Sequence, residues 1–541
     1  METDPLGKDA SGCIIDEYPC TDGGKLQRPH AGSAEAARVL TAYVNADVST
    51  MDPALPRAAG LLVQDGAIAR VLTDRPTGLS KDLKVVDCQG GAIVPGLHDC
   101  HAHLTDTGLL SGDHDLGDCA SIAQILRRLT RLADPLVFAG NYEQHHLAER
   151  RSPLMRELDS AAADRPVLLT RIDGHSCVVN SAAWALVDIG DLEGVDRDDH
   201  GTPSGRLFGP ANYAAQRQFT RKLSAEVNRA ADERAAALAL AAGITTLHNV
   251  IVGDAPLEEL QELKRANEAL PLRVFTKSCT TDVAKVKKLG GRIFGGDIFL
   301  DGSIGSHTAA VSSGYCDAAG DGLLYLTRAD LYQLFDEAAE AGLSPGVHAI
   351  GDRAIEEAIA AWEAVIAKRG PLREVRPSID HFEIARADHI ARAARCGLML
   401  SMQPAFDFLW GGDDGMYAER FGARRARAMN LMGSAVRAGC TICGGSDSPV
   451  TKLSALLGIQ SCLDHHVCAE RLTAEQALRA YTADAAKLAF EEHERGVLAA
   501  GMAADFALLE RPIDAVPVRQ IKDIGVLLTV VGGVIRHSLL G

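Results

Sequence analysis

From Arg38 onward the chain sets short apolar runs between turn-forming residues, at 39–44, 60–63 and 67–71, with Asp65-Gly66 dividing the last two. Runs of this length around an Asp-Gly turn predict a small sheet. Past about Gly91 the pattern changes. Apolar runs at 166–170, 243–247, 272–276, 298–300, 344–348, 398–401 and 441–444 alternate with Ala- and Leu-rich stretches of helical length. Sustained strand–helix alternation predicts an α/β fold with a parallel sheet, and its length favours a distorted (β/α)8 TIM-like barrel over an open doubly wound sheet. After Ala489 the short runs return, at 505–509 and 526–531, before a Gly532-Gly533 turn. The small-sheet segments bracket the barrel and are expected to pair as one composite β-sandwich built from both chain ends. The organisation read from the pattern is a weakly ordered tail over 1–36, a composite sandwich from 37–92 plus 491–541, and a barrel over 93–490. An insertion at about 112–213 is too long for a βα loop, and its Gly/Asp-rich piece at 190–209 is expected to fold over a site as a lid.

Composition narrows the function classes. With 47% hydrophobic and 23% charged residues over 541 positions, there is material for a large buried core. The 55 basic and 72 acidic residues leave a formal charge of −17, which repels nucleic-acid phosphates and anionic lipid. The one tight basic cluster, Arg424, Arg425 and Arg427, reads as a solvated helix face. No run reaches the ~18 apolar residues of a membrane span. The first residues, Met1-Glu2-Thr3-Asp4, lack the basic and apolar regions of a signal peptide, so a cytoplasmic location is expected. The 13 cysteines, odd in number and without a C-x-x-C pair, read as buried thiols rather than a disulfide framework. Gly302, Gly305 and Gly314 do not form a dinucleotide-binding G-x-G-x-x-G. The expected partner is a small-molecule substrate, and the apolar composition leaves room for a homodimer interface.

The chemistry concentrates at strand ends. Val94 to His103 is an apolar strand closing on His101-Ala102-His103, and residues two apart on a strand share a face, so both imidazoles can reach one metal ion. Asp99, two residues earlier, either orients a ligand or caps a turn. His348 ends the run from Leu343, His381 ends the run from Pro377, and Gly444-Gly445-Ser446-Asp447 puts a carboxylate at the end of the last strand. The C-terminal ends of barrel strands are where barrel active sites are built. Singly, each residue has an ordinary structural reading, Asp447 as a helix N-cap for instance. Four ligand-bearing strand ends in chain order point together to a metal site, with Asp447 also placed to act as general base.

The motifs resemble the amidohydrolase superfamily, in the branch that includes N-substituted formamide deformylases. They stand here as VPGLHDCHAH (94–103), IFLDGSIGSHTAA (298–310), HAIGDRAI (348–355), IDHFEI (379–384), SMQP (401–404) and GGSDSPV (444–450). The resemblance implies a metal-dependent hydrolase on a distorted β/α barrel with a composite β-sandwich. It also implies a shell of His101, His103, His348, His381 and Asp447 around one or two divalent ions, zinc by the imidazole-rich character of the set. One departure stands out. Where many relatives carry a lysine, sometimes carboxylated to bridge two metals, this chain has Asp297. Asp297 is then either a direct carboxylate bridge or the mark of a single-metal site, and Asp301 is the alternative ligand on the same strand face.

Softer candidates are His175, in Asp173-Gly174-His175, to polarise a substrate carbonyl, and Arg353, to orient Asp352 or a substrate oxygen. Gln403, Phe406, Phe408 and Trp410 are candidates to wall an apolar pocket, while His307 has no assigned role. The reaction expected is hydrolysis of an amide-type C–N bond, of an N-substituted formamide for example, by metal-activated water, with Asp447 moving the proton to the leaving amine. Ring opening of a cyclic amide or imide, and hydrolytic deamination, use the same shell. A non-catalytic barrel scaffold is disfavoured because every clear strand end keeps its ligand.

Overall fold

The apolar runs flanking the barrel pair with each other across the length of the chain. The computed structural model describes residues 40–74, 83–372 and 374–540, and the tail expected at 1–36 lies outside the described residues. Thr41–Val44 runs antiparallel to Gly60–Gln64, which turns at Asp65-Gly66 into Ala67–Leu72, and Lys84–Asp87 adds a parallel edge. Both turn residues have positive φ, 51° and 81°, as a tight hairpin turn requires. In a second sheet the C-terminal strands Val534–Ser538, Val526–Val531 and Phe506–Leu509 continue onto Ala92–Pro95, Asp47–Ser49 and Arg57–Ala58. Side chains from both chain ends share one core, with Tyr43 packed edge-on against Phe506 at 4.8 Å between ring centroids.

Eight parallel strands carry the centre of the molecule. They are β1 (Leu97–Ala102), β2 (Ile244–Ile251), β3 (Arg273–Ser278), β4 (Ile293–Phe299), β5 (Ser344–Ala349), β6 (Ser378–His381), β7 (Met399–Met402) and β8 (Thr441–Gly444). They form two ladders, β1 to β3 in the order β3-β2-β1 and β4 to β8 in chain order. The seams between the ladders are irregular. Where β8 meets β1, the Asp447 N–H donates to the His101 carbonyl at 2.7 Å and the His103 N–H donates to the Ser448 carbonyl at 2.8 Å. Where β3 meets β4, the Cys279 thiol donates to the Gly295 carbonyl, and the Asp297 N–H donates to Cys279 Sγ at 3.3 Å. This is the distorted parallel α/β architecture expected, with irregular seams and register shifts between β1 and β2 and between β4 and β5.

Helices cover the strands through one apolar face each. Asp352–Arg369 buries Ala354, Ile355, Ala358, Ile359, Trp362 and Val365, the 3.6-residue period of an amphipathic helix. Trp362 stacks on Phe335 of Arg328–Glu340, a helix begun by a Thr327 capping box.

Two expectations are corrected between β1 and β2. The run at 166–170 is no barrel strand. Val167–Arg171 sits in a separate five-stranded sheet with Val137–Tyr142, Ser176–Val179, Pro203–Phe208 and Val195–Arg197. Its apolar continuity, which mimics a barrel strand, comes from being buried on both sides by its own clusters. The 190–209 piece is not a lid. It forms the antiparallel edge pair Val195–Arg197 and Pro203–Phe208, because Pro203–Phe208 takes its hydrogen bonds from Ser176–Val179.

Candidate metal centre

Each ligand-type side chain named from the sequence stands at the same end of the strand set. His101 is within β1 and His103 just beyond it, Asp297 is in β4, His348 in β5, His381 ends β6, and Asp447 follows β8. His381 and Asp447 take positive φ of 73° and 56°, outside the ordinary strand region. The turn at His381 breaks strict alternation, so Asp380 and His381 both reach the centre from adjacent positions.

The four imidazoles converge on Asp297. Its Oδ1 lies 3.4 Å from His101 Nε2, 3.4 Å from His348 Nδ1 and 3.6 Å from His381 Nε2, while its Oδ2 lies 3.4 Å from His103 Nε2. Asp447 Oδ1 lies 3.1 Å from His103 Nε2 and 3.5 Å from His101 Nε2. The far nitrogens of three of the imidazoles are held from behind. His101 Nδ1 pairs with Asp380 Oδ1 at 2.8 Å, His103 Nδ1 with the Val250 carbonyl at 3.0 Å, and His348 Nε2 with the Gly302 carbonyl at 3.3 Å. A Cβ at position 346 would sit 2.7 Å from Asp380 Oδ2, so glycine there leaves space for the carboxylate behind His101.

The buried ligand-type atoms of this cluster suit a cation. Burial works against charge on Asp297, yet His101 and the other imidazoles hold its carboxyl well below the usual carboxylate range. Burial likewise opposes charge on His101, and the Asp297 and Asp447 carboxylates outweigh it, so that imidazole is held well above its ordinary value. His101 Nε2, His348 Nδ1 and Asp297 Oδ1 are buried without a hydrogen-bond partner. Orphaned donor atoms are costly inside a protein unless something binds them. Imidazole nitrogens and carboxylate oxygens at this spacing fit a divalent metal, and two ligand groups meet that description: His101, His103 and Asp447, and His101, Asp297 and His381.

A cleft lies over His348, His381 and Asp447. Phe406 and Trp410 form part of its apolar wall, as expected, whereas Phe408 is exposed at 37% and Gln403 is buried elsewhere. His175 lines the same cleft, where burial holds its imidazole down to about 4, so it is neutral at pH 7. Asp301 is engaged elsewhere. Strand β4 stops at Phe299, so the two-residue period no longer governs Asp301. Its carboxylate instead accepts the N–H groups of Ala310, Ile350 and Gly351 at 2.7–3.0 Å. Arg353 pairs with Asp321 and His307 with Asp317, both outside the cleft. Asp99 Oδ1 takes the N–H groups of His101 and Ser446, tying β1 to the β8 end. Arg425 is not a free surface charge either, since it donates to the Ser313 and Gly314 carbonyls.

Several cleft residues were not singled out from the sequence. Arg171 is buried between Glu143 and Asp173, each 2.7 Å away. Glu383 accepts the Tyr417 hydroxyl, and burial raises its carboxyl to about 7. Asp380 and Glu383 flank His381 in Ile379-Asp380-His381-Phe382-Glu383, a local run of acids that is the one available sequence signal.

A parallel-barrel fold with imidazoles and carboxylates converging at strand ends defines a hydrolase of the amidohydrolase superfamily, built to hold metal. The amidohydrolase family model matches residues 84–537, and the chain belongs to that family. It is 28% identical to the putative amidohydrolase YtcJ of Bacillus subtilis (strain 168), covering 85% of this chain and 91% of that one. It is 26% identical to the N-substituted formamide deformylase of Arthrobacter pascens, over 92% and 98% of the two chains. Among solved structures, an uncharacterized metal-dependent hydrolase from Pyrococcus horikoshii OT3 superposes with a TM-score of 0.72 at 24% identity, over 89% and 99% of the chains. The described cysteines are all free, most of them buried. No helix among the described residues is long and apolar enough to cross a membrane.

Proposed function

We propose that the protein hydrolyses an amide-type C–N bond, with an N-substituted formamide as the leading substrate class. The observation that carries the reading is Asp297, whose Oδ1 faces His101, His348 and His381 while its Oδ2 faces His103. A carboxylate facing all four imidazoles is placed to be shared by two metal positions. His101, His103, His348, His381 and Asp447 would hold the ions with it, and zinc suits a set rich in imidazole. Bound there, a divalent ion supplies Lewis acidity for the carbonyl and lowers the pKa of water.

The chain's own residues do the rest. Asp447, which lines the cleft, takes a proton from the attacking water and delivers it to the leaving nitrogen. His175, neutral across the cleft from Asp447, donates to the carbonyl oxygen as charge develops on it. Phe406, Trp410 and Met416 offer an apolar wall to the substituent on nitrogen. The deformylase from Arthrobacter pascens, similar over nearly its whole length, supports the formamide assignment. Buried free thiols accord with a reducing cytoplasmic setting.

The test combines metal analysis with a substrate panel. Protein purified without chelator or added metal is expected to carry about two ions per chain, falling by half or more in Asp297→Ala. Incubation with N-substituted formamides is expected to release formate and the amine. Turnover confined to cyclic imides or dipeptides overturns the formamide assignment, and a full metal complement in Asp297→Ala removes Asp297 from its bridging role.

A further inference from the structure

The insertion contributes to the cleft a histidine whose second ring nitrogen is already occupied. His175 Nδ1 is hydrogen-bonded to the Tyr213 hydroxyl. Tyr213 sits on the Gly209–Thr220 helix, and that helix is fastened to the turn carrying His175. Asn212 and Gln216 both donate to the Gly174 carbonyl, at 2.9 and 2.8 Å. The turn is pinned from its other side as well, where Asp173 accepts from Ser303, Ser306 and Arg171 and also from the His175 N–H. The Tyr213 ring stacks on Phe299 at the end of β4, 5.1 Å between centroids and 15° between planes. Neither partner of the Tyr213–His175 pair is therefore free to turn away.

We propose that Tyr213 is a positioning residue: its hydroxyl donates to His175 Nδ1, fixing the imidazole as the tautomer that carries its proton on Nε2 and presents that N–H to the cleft. The inference rests on the reading above, in which His175 donates to the substrate carbonyl. The physical argument has two parts. A neutral imidazole has one N–H, and whichever nitrogen accepts a hydrogen bond leaves the proton on the other. Donation to a carbonyl oxygen in the cleft requires the proton on Nε2, which leaves the Nδ1 lone pair to be satisfied. The Tyr213 hydroxyl is the group hydrogen-bonded there, and as a donor it satisfies that lone pair. Burial also keeps the Tyr213 hydroxyl protonated, well above the ordinary phenol range. No charged group is consumed in the device, so it operates at any pH where His175 is neutral.

The test reads the tautomer directly. In protein as purified, deuterated and labelled with 15N-histidine, the His175 signals are assigned by their loss in His175→Gln. The expected spectrum has a pyrrole-type Nε2 and a pyridine-type Nδ1. Tyr213→Phe keeps the stacked ring and is expected to shift this pattern toward the other tautomer. A wild-type proton on Nδ1, or a pattern unchanged in Tyr213→Phe, overturns the proposal whether or not a substrate is in hand.

Turnover of 4-nitroformanilide supplies the second readout. Tyr213→Phe is expected to lower kcat on the order of 10- to 100-fold, the loss typical of partners that orient functional histidines, with KM and metal content little changed. His175→Gln carries an amide donor near the Nε2 position and has no tautomers, so adding Tyr213→Phe to it is expected to cost little more. An equal loss from Tyr213→Phe in both backgrounds shows a merely structural role and overturns the proposal. Full turnover in His175→Ala overturns instead the reading of His175, and the positioning role with it, while the spectrum still decides whether Tyr213 sets the tautomer.

Discussion

Asp380 Oδ1 stands 2.8 Å from His101 Nδ1, with both side chains fully buried, and the Lys277 ammonium lies 3.6 Å from the same oxygen. The contact fixes which nitrogen of His101 faces Asp297 and Asp447. A carboxylate behind a ligating imidazole raises its basicity and locks its orientation. Asp380→Asn is expected to weaken metal binding about 10- to 100-fold, measured by competition with a chromogenic chelator. Retention of wild-type affinity would show that packing alone orients His101.

Asp447 is assigned both to ligation and to proton transfer, and the two separate by experiment. Asp447→Asn is expected to keep the fold, by circular dichroism and thermal midpoint, and to lose about 10²- to 10⁴-fold in kcat. Metal content is measured on the same sample. A loss of rate that metal supplementation restores assigns Asp447 to ligation alone.

Asp505 joins the barrel to the C-terminal sheet, accepting from Arg273 Nε at 2.7 Å, Arg495 Nε at 3.2 Å and the Gly532 N–H at 2.6 Å. Burial opposes its charge, but Arg273 outweighs burial and holds the carboxyl below its ordinary value. A carboxyl depressed in the folded state contributes stability that is fully present above its unfolded value, about 4, and is lost as pH falls through the folded value. Asp505→Asn is therefore expected to cost about 3 kcal/mol at pH 7, read as a lower urea midpoint. The gap from wild type should narrow below about pH 4, and a gap that stays constant down to pH 2 would remove the ion pair from the explanation.

Gly444 closes β8 against Tyr481, where an added Cβ would lie 2.3 Å from the ring. Tyr481 is fully buried, so the ring has nowhere to retreat. Gly444→Ala is expected to destabilise by about 1–3 kcal/mol through overpacking, seen as a fall in thermal midpoint with metal bound. An unchanged midpoint would mean that the β8 end moves as a unit.

Much of the metal centre was legible because strand ends carry their own punctuation. His101, His103, His348, His381 and Asp447 each close an apolar run, and that signal is local. Asp297 was found only as a departure from a family pattern, and the alternative, Asp301, rested on a two-residue period that ends with β4 at Phe299. Asp380 and Tyr213 were missed for a different reason. Each acts on a histidine distant in sequence, 279 positions away for Asp380 and 38 for Tyr213, and no periodicity records such a pairing. The 166–170 run was misplaced because a strand buried on both faces reads alike in a barrel and in a separate sheet.

The seam where β8 meets β1 has a consequence for how the protein is made. His103 and Asp447, 344 positions apart, share the centre, and their segments are tied by two backbone hydrogen bonds, His103 N–H to the Ser448 carbonyl and Asp447 N–H to the His101 carbonyl. During synthesis the histidine pair is joined to the chain roughly 20 to 70 s before the aspartate, at about 5–20 residues per second. Over that interval the nascent chain holds an incomplete chelate, and maturation with metal is a late event that follows translation of nearly the whole polypeptide. A messenger or chain cut short before Asp447 yields a product with most of the ligands and no finished centre.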